Sequence, residues 1–419
     1  MKNTFKNIIY KVLKKNARRV IVEHDPFVIA VTGSVGKTST KEAIYQVLSD
    51  QYGADVRKNY GNLNTEIGLP LTILGYEKVP SRILWPIFLV SAYFKPVFIK
   101  KYPKYLILEM GVEKEGDIEY LTGIVQPDIA IITSVSGAHL ENFSDLSQYQ
   151  NEKISIIKDI KDNGTVFVNA DDPELDKIES AQKIGINKSN VDYHGEIINL
   201  GIDGTEIRIS CTGHKISVKS KLLGAQLAYS SLFAFAVASW MKISLLKVGK
   251  SLEKIKPVPG RMNYIEGEGN IKIIDDTYNS NPQSAKYAID FMDALKYSGR
   301  KVIIFGSMNE LGGESESHHL EVAKYAKGKV DMAIFCGDNA KKQVETFGES
   351  GTAFPNRKEL TSKIKTLLKE NDLVLIKASQ NRNFFEEVVK VLMKDKNKAK
   401  ELLVRQNKIW ISKKDKKGA

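Results

Sequence analysis

The chain has 419 residues, 42% of them hydrophobic, and a net charge of +12. That length holds two or three domains with buried cores, and the apolar share excludes a disordered chain. Two cysteines, Cys211 and Cys336, are too few and too far apart for a disulfide framework or a zinc site. Both read as core residues of a protein in a reducing cytoplasm. The excess charge points to nucleic acid, a membrane surface or anionic substrates. Nucleic acid is set aside, because the lysines form no aromatic-interleaved stripe and no reader motif.

Residues 1–26 place Lys2, Lys6, Lys11, Lys14, Lys15, Arg18 and Arg19 around Phe5, Ile8, Ile9, Val12 and Leu13, the pattern of a basic amphipathic helix. It lacks the apolar core and cleavage site of a signal peptide, so the chain is expected in the cytoplasm. The helix either packs on the first domain or lies on the inner membrane surface. Val28 to Val31 then form a buried strand running into Thr32-Gly33-Ser34-Val35-Gly36-Lys37-Thr38-Ser39 and a helix with Ile44, Val47 and Leu48 at helical spacing. This is a phosphate-cradling turn. Gly33 and Gly36 let backbone N–H groups approach an anion, Lys37 would reach terminal phosphates, and Thr38 would hold Mg²⁺.

Residues 59–70 are rich in turn formers and lead into a short helix. The most apolar run, Ile83 to Ile99, is broken by Pro86, Lys95 and Pro96, which predicts a buried or interfacial helix rather than a spanning one. Lysines 100, 101 and 104 follow, so a peripheral membrane contact is a second expectation. Lys104 to Met110 and Asp128 to Thr133 are further parallel strands. Ligands gather at the C-terminal ends of such strands, where Glu109 and His139 make an oxygen and nitrogen pair suited to a metal. Residues 165–169 form another strand, 190–222 small antiparallel strands, and Leu222 to Trp240 a long apolar helix. The prolines and glycine of 256–261 mark a linker. Beyond it, strands at 271–275, 302–305, 332–336 and 373–376 alternate with helices, which predicts a second doubly wound unit.

Several separated stretches resemble one family, the Mur ligases: Thr32 to Thr40, Gly61 to Pro70, Glu109-Met110-Gly111, Ala138-His139-Leu140-Glu141, Asn169-Ala170-Asp171-Asp172, Pro259-Gly260-Arg261-Met262, Asp275 to Pro282, and Glu310-Leu311-Gly312. They run in the family's order from about 27 to 395, and they most resemble the branch that adds D-alanyl-D-alanine to a UDP-muramyl tripeptide. The resemblance implies an α/β architecture: a P-loop-type parallel-sheet central domain with a small antiparallel subregion, then a Rossmann-like C-terminal domain. The expected division is 1–26 as the basic segment, 27–257 as the central ATP-binding domain with an apolar insertion at 79–103, 258–395 as the ligase domain, and 396–419 as a basic tail. It also implies ATP-dependent amide synthesis through an acyl phosphate, with ATP and Mg²⁺ as cofactors, in peptidoglycan precursor synthesis.

By the same resemblance, the loop residues Thr32, Gly33, Ser34, Val35, Gly36, Lys37, Thr38 and Ser39 bind nucleotide together with Arg261, Asp276, Tyr278 and Asn279. Thr38, Glu109, His139 and Lys153 hold metal, with Lys153 in the position of a carbamylated lysine. Lys37, His139, Lys153 and Arg261 act in catalysis. The chain departs from the family at four places. Gly224 to Ser230 lack the usual His and Asn residues, Ser307 stands where Asp is usual, and Lys377-Ala378-Ser379-Gln380 differs from a Lys-Gly-Ser-Arg pattern. Only 26 residues precede the first strand, where family members with a UDP-sugar substrate carry a separate binding domain. A partner protein replacing that domain, another carboxylate and amine pair such as poly-glutamate synthesis, and a nucleotide-binding scaffold of a membrane complex are the alternative expectations.

Overall fold

A computed structural model describes residues 2–135, 142–380 and 383–416. Nine strands form the first sheet: β1 Phe27–Thr32, β2 Val56–Lys58, β3 Tyr105–Glu109, β4 Ile129–Ile132, β5 Thr165–Asn169, β6 Gln182–Gly185, β7 Tyr193–Gly201, β8 Gly204–Cys211 and β9 His214–Ser220. Their order is β2-β3-β1-β4-β5-β6-β7-β8-β9. Strand β1 lies between β3 and β4, parallel to both, so the chain reverses its direction of winding beside the phosphate loop.

Alternation along β1 separates two cores. Ile29 and Val31 face α2 (Lys37–Tyr52) and the helix Ala225–Trp240, while Val28 and Ala30 face the layer containing α1 (Lys2–His24), α3 (Gly68–Ile73) and α4 (Trp85–Phe98). The small residues of Ala225–Trp240 allow it to lie directly on α2. The antiparallel strands expected at 190–222 are present, but they do not form a separate sheet. Strand β6, which lacks a long apolar run, pairs parallel with β5 and β7 and so carries the meander β7-β8-β9 on the main sheet.

The second sheet comprises β10 Asn263–Glu266, β11 Lys272–Asp276, β12 Lys301–Phe305, β13 Met332–Cys336, β14 Gly351–Phe354 and β15 Leu373–Lys377. The order is β10-β11-β15-β12-β13-β14, parallel except for β10. Strands β10 and β14 and the helix Arg357–Leu367 add to the elements expected from periodicity. The two strands are short and sit at the sheet edges, where half-burial weakens the apolar signal. Cys211 and Cys336 are buried thiols, as expected.

The run 83–99 forms α4, but only Trp85, Ala92 and Pro96 within that helix are buried. It is therefore an interfacial helix, with one side packed on α1 and the other in solvent. No helix among the described residues is long and apolar enough to cross a membrane. At the other end of the chain, the basic tail folds back. Arg405 and Lys414 both reach the fully buried carboxylate of Glu386, at 2.7 and 2.8 Å.

Candidate active site

The phosphate loop is a backbone device stitched to the end of β4. Ser34 N–H donates to the Ser134 carbonyl (2.8 Å), Val35 N–H to Ser134 Oγ (3.0 Å), and Thr133 Oγ1 to the Val35 carbonyl (2.6 Å). Gly33 has φ +140° and Gly36 φ +90°. A Cβ on Gly33 would lie 2.1 Å from Thr133 Oγ1, so the loop and β4 approach too closely for any side chain there. Helix α2 opens immediately after Gly36 with no side-chain cap, which leaves its first N–H groups available for an anion. Ser34 Oγ lies 3.0 Å from the Tyr149 hydroxyl, and Ser39 is buried. Thr32 is buried with its hydroxyl unpartnered among the described residues.

Lys37 donates to the Gly33 carbonyl at 2.6 Å. Burial pushes its ammonium below the ordinary lysine range, Glu109 opposes that shift, and Arg261 adds to it. Glu109, at the C-terminal end of β3, accepts from Thr38 Oγ1 (2.9 Å) and Asn64 Nδ2 (3.0 Å), and Lys41 Nζ lies 3.7 Å away. Burial would raise its carboxyl, but Lys41, Lys37, Arg261 and the Thr38 hydroxyl outweigh burial and hold it below the usual range. Lys41 is completely buried and anchored on the Asn59 carbonyl at 2.8 Å. The Asn59 side chain in turn bonds both the N–H and the carbonyl of Glu109, each at 2.9 Å.

Lys153 is buried, with its ammonium 4.4 Å from the Tyr149 ring centre. Burial drives its pKa well below the lysine range, and the positive charge of Lys37 acts in the same direction. His139 and Glu141 lie outside the described residues. Among the described residues no group of three His, Cys, Asp or Glu side chains could hold a metal. The oxygen donors Thr38 and Glu109 nevertheless fit Mg²⁺, which takes one or two protein ligands and completes its shell with water and phosphate oxygens.

The opposite wall comes from the second sheet. Arg261 stacks 4.4 Å above the Tyr278 ring, and its Nε is buried without a partner among the described residues. Asp276 is paired with Lys377 at 2.6 Å, and Lys377 also donates to the Asn279 carbonyl at 3.0 Å. Asn281 caps the helix Pro282–Ala294 through a reciprocal box with Ser284. Ser34, Val35, Gly36, Ser39, Arg261, Asp276, Asn279 and Lys377 line one cleft, and Gln226, Tyr287 and Phe291 join it to a second cavity.

The structure thus brings together the phosphate loop, Glu109, Lys153, Arg261, Asp276, Tyr278 and Asn279. Sequence reasoning missed Lys41 and Tyr149 as contributors, and it met Asn64 and Lys377 only as members of a turn-rich segment and of a divergent family motif. Lys41 carries a usable signal, because it lies four residues after Lys37 on the same helix face. The departing residues also take defined places. Gln226 lines the cleft close to Gly36, and Ser230 accepts from Thr40 Oγ1 at 3.3 Å. The aspartates of the 169–172 motif hold backbone and also line the second cavity. Asp171 accepts from the N–H groups of Ile186, Asn187 and Lys188, and Asp172 from Val135 and Glu174.

Comparison with known proteins agrees with this architecture. Residues 31–238 match the model of the Mur ligase middle domain and residues 260–380 that of the Mur ligase glutamate ligase domain. The UDP-N-acetylmuramoyl-tripeptide–D-alanyl-D-alanine ligase of Buchnera aphidicola subsp. Acyrthosiphon pisum is 30% identical over 88% of this chain and 77% of its own length. That of Bacillus subtilis is 29% identical over 91% of this chain and 79% of its own. The crystal structure of the MurF ligase from Thermotoga maritima in complex with ADP superposes with a TM-score of 0.77 at 28% identity, covering 93% of this chain and 84% of that one.

Proposed function

Because the chain belongs to the Mur ligase family, we propose that it is an ATP-dependent ligase joining D-alanyl-D-alanine to the carboxylate of a UDP-muramyl tripeptide in peptidoglycan precursor synthesis. The observation that carries this reading is the group of Lys37, Lys41 and Arg261, whose charges hold the Glu109 carboxyl low, beside a glycine loop and between two sheets. Positive charge gathered at a glycine loop suits a polyphosphate. It comes from both walls, so the nucleotide joins them.

In the proposed reaction an oxygen of the substrate carboxylate attacks the γ-phosphorus of ATP, and the bond to the β,γ-bridging oxygen breaks to release ADP. The neutral amine of the dipeptide then attacks the acyl carbon and gives up a proton to solvent. A tetrahedral intermediate expels phosphate, leaving the amide. Lys37, the loop N–H groups and Arg261 neutralise charge that develops on the transferring phosphoryl group, where fixed electrostatics supply most of the acceleration. Thr38 and Glu109 would hold Mg²⁺, which supplies further neutralisation of phosphate charge. His139 is proposed to join them, and Lys153 to do so as a carbamate. Burial favours the neutral amine of Lys153, the form that takes up carbon dioxide. Asp276, Tyr278 and Asn279 line the side from which the second sheet covers the nucleotide and keeps water from the acyl phosphate.

The test is ADP release by the purified chain with ATP, Mg²⁺, a UDP-muramyl tripeptide and D-alanyl-D-alanine. Release that requires both organic substrates, with the pentapeptide as product, is expected. ATP turnover with a different amine and none with D-alanyl-D-alanine would overturn the substrate assignment while keeping the ligase chemistry.

A further inference from the structure

Outside the cleft, one feature of the fold has no use in ligation. The outward side of α4 and the turn before it expose Ile83, Ile87, Val90, Phe94, Val97 and Phe98, with Ile83 88%, Ile87 72% and Phe98 75% accessible. The inward residues Trp85, Ala92 and Pro96 already fill the core shared with α1. A helix apolar on every side is normally enclosed, and an exposed apolar face of this extent marks an interaction surface. From Ile83 to Phe98 the only charged residue is Lys95, which turns inward so that its ammonium sits 4.9 Å above the Tyr76 ring.

Charge decides what this face meets. Helix α1 packs directly against α4 and sends its apolar side into the same core. Its exposed residues include Lys6, Lys11, Lys15, Arg18 and Arg19. At the ends of the apolar segment stand Lys78, Lys100, Lys101 and Lys104, all exposed. Of these, Lys101 and Lys104 share one nearby carboxylate, Asp55, at 3.8 and 3.7 Å. An apolar ridge beside a basic helix supplies the two attractions that hold a protein on a lipid surface: burial of side chains among acyl chains and attraction to anionic headgroups. A second copy of the chain fits less well, because pairing the ridges would bring two basic borders together.

We propose that the α1 and α4 layer docks on an anionic bilayer, with the outward side of α4 inserted at the level of the headgroups. The ligase cleft, on the edge formed by the C-terminal strand ends and the second sheet, stays open to water. This goes beyond the ligase reading and does not depend on it.

The test is sedimentation of the full chain with vesicles of equal parts phosphatidylglycerol and phosphatidylcholine, and with phosphatidylcholine alone. Binding to the anionic vesicles at low salt is expected, with weaker binding at high salt and on the neutral vesicles. The triple variant Ile87→Ser, Phe94→Ser, Phe98→Ser should lower the partition coefficient at least ~100-fold. Lys15→Glu with Arg19→Glu should lower it ~10-fold or more. All five positions are exposed, so an unchanged circular dichroism melt is expected to confirm that both variants fold. A chain that stays in the supernatant with anionic vesicles overturns the proposal, as does a triple variant that binds like the parent. A dimer in analytical ultracentrifugation that the triple variant dissociates would give the face to a second copy instead.

Discussion

The two walls of the cleft are built by opposite means. On the side of the nine-stranded sheet, the phosphate loop and the helix turn after it come from one stretch, residues 32–41, and the loop is held by bonds to Thr133 and Ser134 at the end of the neighbouring strand. On the side of the six-stranded sheet, Arg261, Asp276 and Lys377 come from separate segments, with Asp276 and Lys377 paired across 101 positions of sequence. The tail extends that wiring. Arg405 donates to the Thr277 carbonyl at 2.8 Å and to Glu386 at 2.7 Å, so a residue far beyond the last strand fixes the turn that carries Tyr278. A contiguous loop keeps its shape through backbone geometry, whereas a wall assembled from distant segments depends on every tie.

Substitutions can break this contrast. Lys37→Ala should leave the fold intact and lower kcat/KM for ATP by ~10³, the scale for removing a fixed charge at a transferring phosphoryl group. Steady-state ADP release checks it, and retention of full activity would refute the nucleotide chemistry of the first wall.

Asp275 tests the second wall through pH. Burial pushes its carboxyl up to about 7, with the charges of Asp276 and Glu386 adding to the shift, and Oδ2 has no partner among the described residues. The folded protein therefore holds a proton that the unfolded chain releases near its ordinary value of 3.8. Stability from this group is fully present below the unfolded value and is lost as pH rises towards the folded one. The loss reaches roughly 4 kcal/mol at most, at about 1.4 kcal/mol per pH unit. Asp275→Asn cannot ionise, so the urea midpoint of the variant should gain on the parent as pH rises from about 5 to about 8. A constant difference across that range would rule this out.

Arg405→Ala should cost about 3 kcal/mol, because it leaves Glu386 with less compensation in a fully buried site. KM for ATP should rise as well, since the turn at Thr277 and Tyr278 loses its support. Gly33→Ala should cost about 2 kcal/mol through a left-handed backbone and the contact with Thr133. Double substitution with Thr133→Ser should recover none of it, because the hydroxyl that a Cβ would meet is retained. The smallest effect is expected from Tyr278→Leu. Removing the ring beneath Arg261 is worth about 0.5–1 kcal/mol, read as a rise of about fivefold or less in KM for ATP with kcat preserved.

Features that depend on neighbouring residues are legible along the chain. The alternation of β1, the glycines of the phosphate turn and the helix opening at Lys37 follow from local periodicity and backbone sterics, and the spaced family motifs place Glu109 and Arg261 in order along the chain. The remaining features come from contacts between distant segments. Lys41 is an ordinary helix residue until Asn59 and Glu109 close around it. Short edge strands have no pattern of their own and exist because a neighbour offers hydrogen bonds. The run 83–99 has the composition of an enclosed helix, yet only its packing on α1 shows that one side stays uncovered. Composition sets how strongly a segment seeks burial, and the partner that provides it lies elsewhere in the chain or outside it.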